Sequence, residues 1–224
     1  MQPYKILIKF PSRGRKDRFF KALEACINNI QDKDNYSISC TLDFDDPVMN
    51  NDEVKEKIAS YDKVSVEWGK SDSKIHAINR DLQLDFDILV VLSDDIFFNI
   101  FGWDTLVRME MENNFPDGDG YLHFKEHDTG DILNVMTVID KKYYQRFKSL
   151  YPPSSTSLWC DNHQMAVAKI LKRYKYIPFE IMLHRCPAYG YLDCPRDEMF
   201  NRQQKDWQED ELNFKYWQSK NFDL

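Results

Sequence analysis

The residues best suited to chemistry are two adjacent carboxylates, Asp94 and Asp95, at the end of an apolar run. Residues 88–92 are continuously apolar and rich in β-branched side chains, which is typical of a buried parallel strand. The two acids would then lie where the strand leaves the sheet, at the edge where open α/β sheets bind ligands. Adjacent carboxylates repel unless a proton or cation intervenes, and hard divalent cations bind carboxylate and phosphate oxygens. The pair therefore predicts a metal-assisted phosphate or nucleotide site.

An alternation of strand-like and helix-like segments would position these acids across roughly the first half of the chain. Predicted strands cover residues 4–10, 36–44, 63–68 and 88–92. Predicted helices between them cover residues 17–30, 51–60 and 74–82. This βαβ pattern predicts an α/β fold with a mostly parallel central sheet flanked by helices. Right-handed crossovers would bring the polar ends of the strands to one edge.

The second half is less regular, and it ends in a charged tail. Strands are predicted over residues 118–124 and 132–139, helices over 141–147 and 161–174, a loop over 151–157, and an extended segment over 176–183. The tail from residue 198 is highly charged but carries apolar side chains that include Trp207, Leu212, Phe214 and Trp217. It is expected to pack against the body as a C-terminal helical tail.

Composition and charge narrow the classes of protein. The chain has 224 residues and a net charge of -7, which argues against broad electrostatic attraction to nucleic acid or anionic membranes. Its five cysteines are an odd number without a CxxC spacing, which favours free thiols in a reducing compartment. The chain shows no signal-type segment and no apolar stretch of membrane-spanning length. A cytoplasmic protein is expected.

Taken in order, the polar positions resemble those of the GT-A nucleotide-sugar glycosyltransferases, and the family-two type in particular. The matching positions run from the first predicted strand to the last: Pro11-Ser12-Arg13, Asp43, Gly69, Lys74, Asn79, Ser93-Asp94-Asp95, Gly102-Trp103-Asp104, Asp161 and His184. The resemblance covers nearly the whole chain, although each piece is short. One position departs from the family pattern, because the Asp-x-Asp motif would place an acid where this chain has Ser93. This leaves open whether Asp94 or Asp95 binds the metal.

The resemblance implies a fold and a reaction. It implies one GT-A (Rossmann-like) domain over residues 1–224, with a nucleotide-sugar-binding half at 1–104, an acceptor-side half at 105–197 and a helical tail at 198–224. The implied activity is a metal-dependent, inverting transfer of a sugar from a nucleoside-diphosphate sugar to an acceptor hydroxyl. A UDP-sugar is favoured as donor, and Mn²⁺ or Mg²⁺ is the implied metal.

The resemblance also implies site roles. The implied metal ligands are Asp95, Asp94 and His184, and the implied general base is Asp161. The implied nucleotide contacts are Pro11, Ser12, Arg13, Asp43, Lys74, Asn79, Ser93 and Asp94. Simpler readings of some of these residues remain open. An acid in the first helical turn is favoured by the helix dipole alone, His184 suits an ordinary packed histidine, and the 74–82 helix suits a solvated face.

Other readings of the whole chain also remain open. Ser93 stands where the family motif has an acid, which is compatible with a non-catalytic nucleotide-sugar-binding protein on the same scaffold. The acids also suit the phosphoryl chemistry of a nucleotidyltransferase. The acceptor is open among a glycan, a lipid-linked sugar, a protein and a modified DNA base, and so is the oligomeric state. Trp103 and Trp159 suit either a stacking platform for a sugar or the apolar core.

Overall fold

In residues 4–224, which are the residues that the structure describes, nine strands form one large sheet and one small ribbon. This structure is a computed structural model. Its strands are β1 (Ile6–Pro11), β2 (Tyr36–Asp43), β3 (Val64–Gly69), β4 (Ile88–Val91), β5 (Ile96–Phe98), β6 (Tyr121–Phe124), β7 (Val138–Asp140), β8 (Tyr174–Ile177) and β9 (Met182–His184). The large sheet has seven strands in the order β3-β2-β1-β4-β7-β6-β8, and β5 pairs with β9.

The first half of the sheet is parallel, and one strand in the second half reverses. Strand β1 lies between β2 and β4, with Ile6 opposite both Tyr36 and Ile88. Strand β2 also pairs in parallel with β3. Strand β7 runs antiparallel to both β4 and β6, whereas β6 and β8 are parallel. The prediction of a mostly parallel central sheet is confirmed, and the carboxyl ends of β1, β2 and β4 meet at one edge.

Helices cover both faces of the sheet because successive strand residues point to opposite sides. The helices are α1 (Lys16–Asn28), α2 (Asp52–Ala59), α3 (Lys74–Asn79), α4 (Trp103–Asn114), α5 (Lys141–Phe147), α6 (Cys160–Ile170), α7 (Glu198–Lys205) and α8 (Trp207–Ser219). Ile88 and Val90 of β4 pack in the core that includes α1, α2 and α4. Leu89 and Val91 pack in the core that includes α3, α5 and α6. Helices α7 and α8 form the predicted C-terminal helical tail.

Two predicted elements in the second half were wrong in extent. The strand predicted over residues 132–139 is regular only from Val138, and the segment before it is irregular. The helix predicted over 161–174 ends at Ile170, because the chain reverses through Lys172, whose φ is +57°. Tyr174 then begins β8 and pairs with Tyr121 of β6. The residues around Tyr174 fit either a helix or a strand by their local pattern, and pairing with β6 stabilises the strand.

Two further features of the structure concern the hydropathy of its helices and the state of its cysteines. Across residues 4–224, no helix is both long and apolar enough to cross a membrane. The five cysteines are free thiols, and Cys186 is the one among them that is not fully buried.

Candidate functional site

A cavity of about 550 Å³ opens at the carboxyl edge of β1, β2 and β4. The sequence-predicted residues that line it are Pro11, Ser12, Arg13, Asp43, Lys74, Ser93, Asp94, Asp95 and Asp161. They come from three strand ends and two helices, and the sheet brings them together because parallel strands expose their carboxyl ends on the same side. The volume is within the range of small-ligand sites, about 300–1,000 Å³.

Asp94 is held by the segment that follows β1. Its Oδ2 accepts a hydrogen bond of 3.1 Å from the Ser12 hydroxyl, and its Oδ1 accepts one of 2.9 Å from Arg15. Burial raises the pKa of Asp94, although the guanidinium of Arg15 opposes this effect. Arg18 lies 3.9 Å from the same carboxylate. Both oxygens of Asp94 therefore accept hydrogen bonds from the segment between β1 and α1.

Asp95 turns toward the β5–β9 ribbon instead. Ile96 lies opposite His184 in that ribbon, which brings Oδ2 of Asp95 to 3.8 Å from His184 Nε2. The Ser93 hydroxyl donates to Oδ1 of Asp95. Burial raises the pKa of Asp95, but His184 and Ser93 outweigh it and hold that pKa well below its usual range. The two acids therefore face different partners, because Asp94 contacts the segment after β1 and Asp95 contacts the histidine of the ribbon.

Three side chains offer ligand atoms at this point. One oxygen of Asp95, one nitrogen of His184 and the sulfur of Cys186 all lie within 4.8 Å of one another. His184 does not line the 550 Å³ cavity; it reaches the site through Asp95, which does. A carboxylate, an imidazole and a thiol are all metal-ligating groups, so the donor set can hold a divalent transition-metal cation.

Asp161 lies in the first turn of α6 and faces a lysine across the cavity. Burial raises the pKa of Asp161, and the ammonium of Lys74 opposes the rise. For Lys74, burial lowers the pKa, but Cys160, Asp161 and Asp95 outweigh burial and the pKa is raised. The site thus has a carboxylate with an elevated pKa next to a lysine that stays charged at neutral pH. Such a carboxylate is suited to accept a proton near neutral pH.

The end of the cavity near β2 has an acid with an unsatisfied oxygen. Arg13 donates to Oδ2 of Asp43 at 2.8 Å, which ties the segment after β1 to the end of β2. Oδ1 of Asp43 is buried without a hydrogen-bond partner in the described residues, and Arg80 lies 3.5 Å from it. Buried acceptors in folded proteins are normally satisfied. Asp43 therefore lines the cavity with its charge balanced by two arginines and with one oxygen that carries no hydrogen bond.

Asn79 does not line the cavity. Its side-chain oxygen accepts hydrogen bonds from the backbone N–H groups of Leu150 and Tyr151, at 2.8 and 3.0 Å, and its amide donates to the Tyr151 carbonyl at 2.8 Å. Tyr151 does line the cavity. Asn79 thus positions the loop that carries Tyr151, and sequence reasoning had no means to see a partner 72 residues away.

Two tryptophans that suited either role prove to be packed. Trp103 is fully buried and stacks on Phe98, with ring centroids 3.8 Å apart. Trp159 packs against Trp207 and Phe214 of α8, at 5.7 and 5.3 Å. Neither lines the cavity. Asp104 is also structural, since its carboxylate accepts backbone N–H groups and pairs with an arginine one helical turn away.

Helix α7 supplies cavity residues that the sequence interpretation did not assign. Its contributions to the cavity wall are Met199, Arg202, Gln203 and Lys205. Asp197, at the N-terminus of α7, accepts two hydrogen bonds from Arg15, at 2.7 and 2.6 Å. In α8, Asp210 accepts three backbone N–H groups from residues 156–158. The i, i+3 spacing of Arg202 and Lys205 in a polar helix is the one sequence feature that indicated a basic helix face.

Comparison with known proteins supports the architecture. At the level of sequence, the chain matches no protein-family model and no curated protein. Among solved structures, it is similar to the mannosyltransferase PcManGT from Pyrobaculum calidifontis, in complex with GDP-Man and Mn²⁺, with a TM-score of 0.65 and 13% identity over 85% of this chain and 59% of that one. It is also similar to S. aureus TarS 1-349 in complex with UDP-GlcNAc, with a TM-score of 0.64 and 10% identity over 84% of this chain and 62% of that one.

The chain has the GT-A glycosyltransferase fold. It spans about three-fifths of the length of each of these two neighbours. In the GT-A fold of this chain, the cavity lies at the edge where β1 and β4 end, and Asp94 and Asp95 lie directly after β4. The predicted fold class and the predicted family resemblance are thereby confirmed at the level of the fold.

Proposed function

We propose that this chain is a metal-dependent, inverting glycosyltransferase that moves a sugar from a nucleoside-diphosphate sugar, preferably a UDP-sugar, to an acceptor hydroxyl. One observation carries the proposal. Asp43, Asp95 and Asp161, which suit a base contact, a cation ligand and a general base, line a single cavity of about 550 Å³. The neighbours with the same fold are described with GDP-Man and Mn²⁺ and with UDP-GlcNAc, which supports a nucleotide-sugar donor here.

The nucleoside is assigned to the end of the cavity near β2. The unsatisfied Oδ1 of Asp43 accepts the imide N–H of uracil, and burial makes that hydrogen bond worth more than it would be in water. Arg13 holds Asp43 in place from the opposite oxygen. Pro11 and Ser12 line the cavity between Asp43 and Asp94, and we assign the ribose to this segment. Ser93 also lines the cavity, next to the two acids.

The diphosphate is assigned to the middle of the cavity. Asp95 and His184 would hold the divalent cation, while Asp94 fixes Arg15 and Ser12 around it. A bound divalent cation supplies Lewis-acid stabilisation to the departing nucleoside diphosphate. Lys74 and the basic face of α7 add positive charge along the same wall. These cations stabilise the negative charge that develops as the sugar-phosphate bond breaks.

Asp161 is assigned the role of general base. An acceptor hydroxyl is a poor nucleophile at neutral pH, and a carboxylate that takes its proton during attack raises the rate by about 10²–10⁴. Burial already raises the pKa of Asp161, which strengthens it as a base. The ammonium of Lys74 opposes this rise and favours the charged carboxylate. We further propose that residues 1–104 form the donor half and residues 105–197 the acceptor half of one cytoplasmic domain.

The test separates binding from turnover. UDP binding is measured by calorimetry with Mn²⁺ or Mg²⁺ present, and UDP release is measured with a panel of UDP-sugars and acceptors. Asp161→Asn is expected to bind UDP as the wild type does and to release it about 10²–10⁴ times more slowly. Asp62→Asn is the matched control, because it removes a carboxylate that is exposed and outside the cavity.

Three outcomes would overturn the proposal or part of it. Wild-type turnover in Asp161→Asn would remove the base assignment while leaving the donor site intact. UDP binding without release from any UDP-sugar would favour a non-catalytic binding protein. Release of pyrophosphate from UTP would favour nucleotidyl transfer.

A further inference from the structure

The ribbon that approaches Asp95 carries a cysteine as well as a histidine. His184 ends β9, and Cys186 follows two residues later, so an extended backbone presents both side chains on the same side. The backbone N–H of Arg185, between them, donates to the carbonyl oxygen of Asp95 at 2.7 Å. This hydrogen bond fixes the ribbon against the acid. It places the sulfur of Cys186 within 4.8 Å of both the oxygen of Asp95 and the nitrogen of His184.

A buried glutamate stands behind the histidine. Glu126 is fully buried, and its Oε2 accepts hydrogen bonds from the backbone N–H and the hydroxyl of Thr129, at 2.6 and 2.7 Å. Its Oε1 lies 3.7 Å from Nδ1 of His184, which is beyond hydrogen-bond distance, and neither of these two buried atoms has a hydrogen-bond partner in the described residues. A carboxylate facing Nδ1 favours the tautomer that carries its proton there, which leaves Nε2 free for a metal. Nε2 is the atom that faces Asp95.

We propose that Asp95, His184 and Cys186 are the three protein ligands of the metal centre and that Glu126 orients His184 as a positioning residue. A thiolate is a soft ligand that Mg²⁺ binds poorly, whereas Co²⁺ and Zn²⁺ accept carboxylate, imidazole and thiolate together. The centre therefore binds Co²⁺ and Zn²⁺ more tightly than Mn²⁺, and Mn²⁺ more tightly than Mg²⁺. The use of this centre in sugar transfer rests on the proposed function, but ligation by Cys186 does not.

The state of the other cysteines supports this assignment. Cys26, Cys40, Cys160 and Cys194 are buried, whereas Cys186 is partly exposed beside the two other ligand atoms. A thiol must be accessible and near other ligand atoms to bind a metal, and among the five cysteines Cys186 meets both conditions.

The test is a Co²⁺ titration of the metal-free protein followed by absorption spectroscopy. Thiolate ligation produces a near-ultraviolet charge-transfer band, which carboxylate and imidazole ligands do not produce. The wild type and Cys194→Ser are expected to show the band. Cys186→Ser is expected to lose it and to bind Co²⁺ at least about tenfold more weakly, because a ligand has been replaced. Circular dichroism confirms that each variant is folded.

Glu126 is tested separately. Glu126→Gln is expected to keep the charge-transfer band and to weaken Co²⁺ binding by about 10–100-fold, the usual range for a partner that orients a ligating histidine. A merely structural glutamate would change stability without changing Co²⁺ affinity in the folded protein. Unchanged affinity in Glu126→Gln would therefore remove its positioning role.

The Co²⁺ band tests ligation by Cys186, whereas UDP release tests sugar transfer, so the two results are independent. A band that persists in Cys186→Ser, or is absent from the wild type, would overturn ligation by Cys186 even if UDP release from a UDP-sugar is observed. A band that is lost only in Cys186→Ser would establish the centre even if no UDP-sugar is turned over. Tighter binding of Mg²⁺ than of Co²⁺ would overturn the proposed metal order.

Discussion

The ion pair between Arg15 and Asp197 is expected to hold α7 against the cavity. Arg15 donates through two nitrogens to the two oxygens of Asp197, and through a third to Asp94. The Arg15 side chain is 10% exposed and that of Asp197 is 35% exposed. Asp197 also caps α7, because its Oδ1 accepts the backbone N–H of Phe200 at 2.8 Å. The variant Asp197→Asn keeps a capping oxygen but loses the charge.

The magnitude follows from these contacts. Hydrogen bonds to charged groups contribute about 1.5–3 kcal/mol, and the partial exposure of Asp197 places this pair at the lower end of that range. Asparagine caps helices about as well as aspartate, so the cap itself contributes little to the loss. A loss of about 1.4 kcal/mol corresponds to a tenfold change in an equilibrium constant. Local opening of α7 is therefore expected to become about ten times more frequent in Asp197→Asn.

Amide hydrogen exchange is the assay. Protection of the α7 amides is expected to fall about tenfold in Asp197→Asn, while protection in β1 and β4 stays unchanged, because elements of a domain open with different free energies. Glu198→Gln is the matched control. It removes an exposed negative charge from the same helical turn, and no hydrogen bond joins that side chain to Arg15. Unchanged protection in α7, or an equal fall in Glu198→Gln, would show that the Arg15–Asp197 pair does not hold α7 in place.

Three further changes test other parts of the structure. Lys74→Met is expected to raise the pKa of Asp161, so the acid limb of the pH profile of UDP release should move to higher pH; an unmoved limb would contradict the pairing. Burial raises the pKa of Asp140 to about 7, so its contribution to folding stability is greatest below pH 4 and is lost as pH rises through 7. Asp140→Asn should therefore raise the unfolding free energy at pH 8 by at most roughly 4 kcal/mol and leave it unchanged at pH 4 in urea titrations. Trp103→Ala should destabilise the protein by about 3–5 kcal/mol in the same assay, because Trp103 fills the core beside Phe98, and a small loss would contradict its packing role.

Much of the fold was predictable from local pattern. The apolar run at residues 88–92 and the alternation before it indicated parallel strands, because a strand covered on both faces has no polar side. The right-handed crossover then required the polar strand ends to share an edge. The second half was less predictable. Short segments without clear periodicity, such as residues 171–176, fit a helix or a strand equally well, and pairing with β6 decides between them.

Local periodicity was enough to predict the parallel sheet, its carboxyl edge and the pair of acids at that edge, because it reflects burial and element type. The tertiary structure was needed to distinguish the partners of the two acids. Arg15 occupies Asp94, whereas His184, 89 residues beyond Asp95 in the chain, approaches that second acid through the β5–β9 ribbon. It also decided that Asn79 holds a loop and that α7 lines the cavity. Periodicity reports whether a side chain is buried, but the identity of its partner depends on pairings between segments that are distant in the chain.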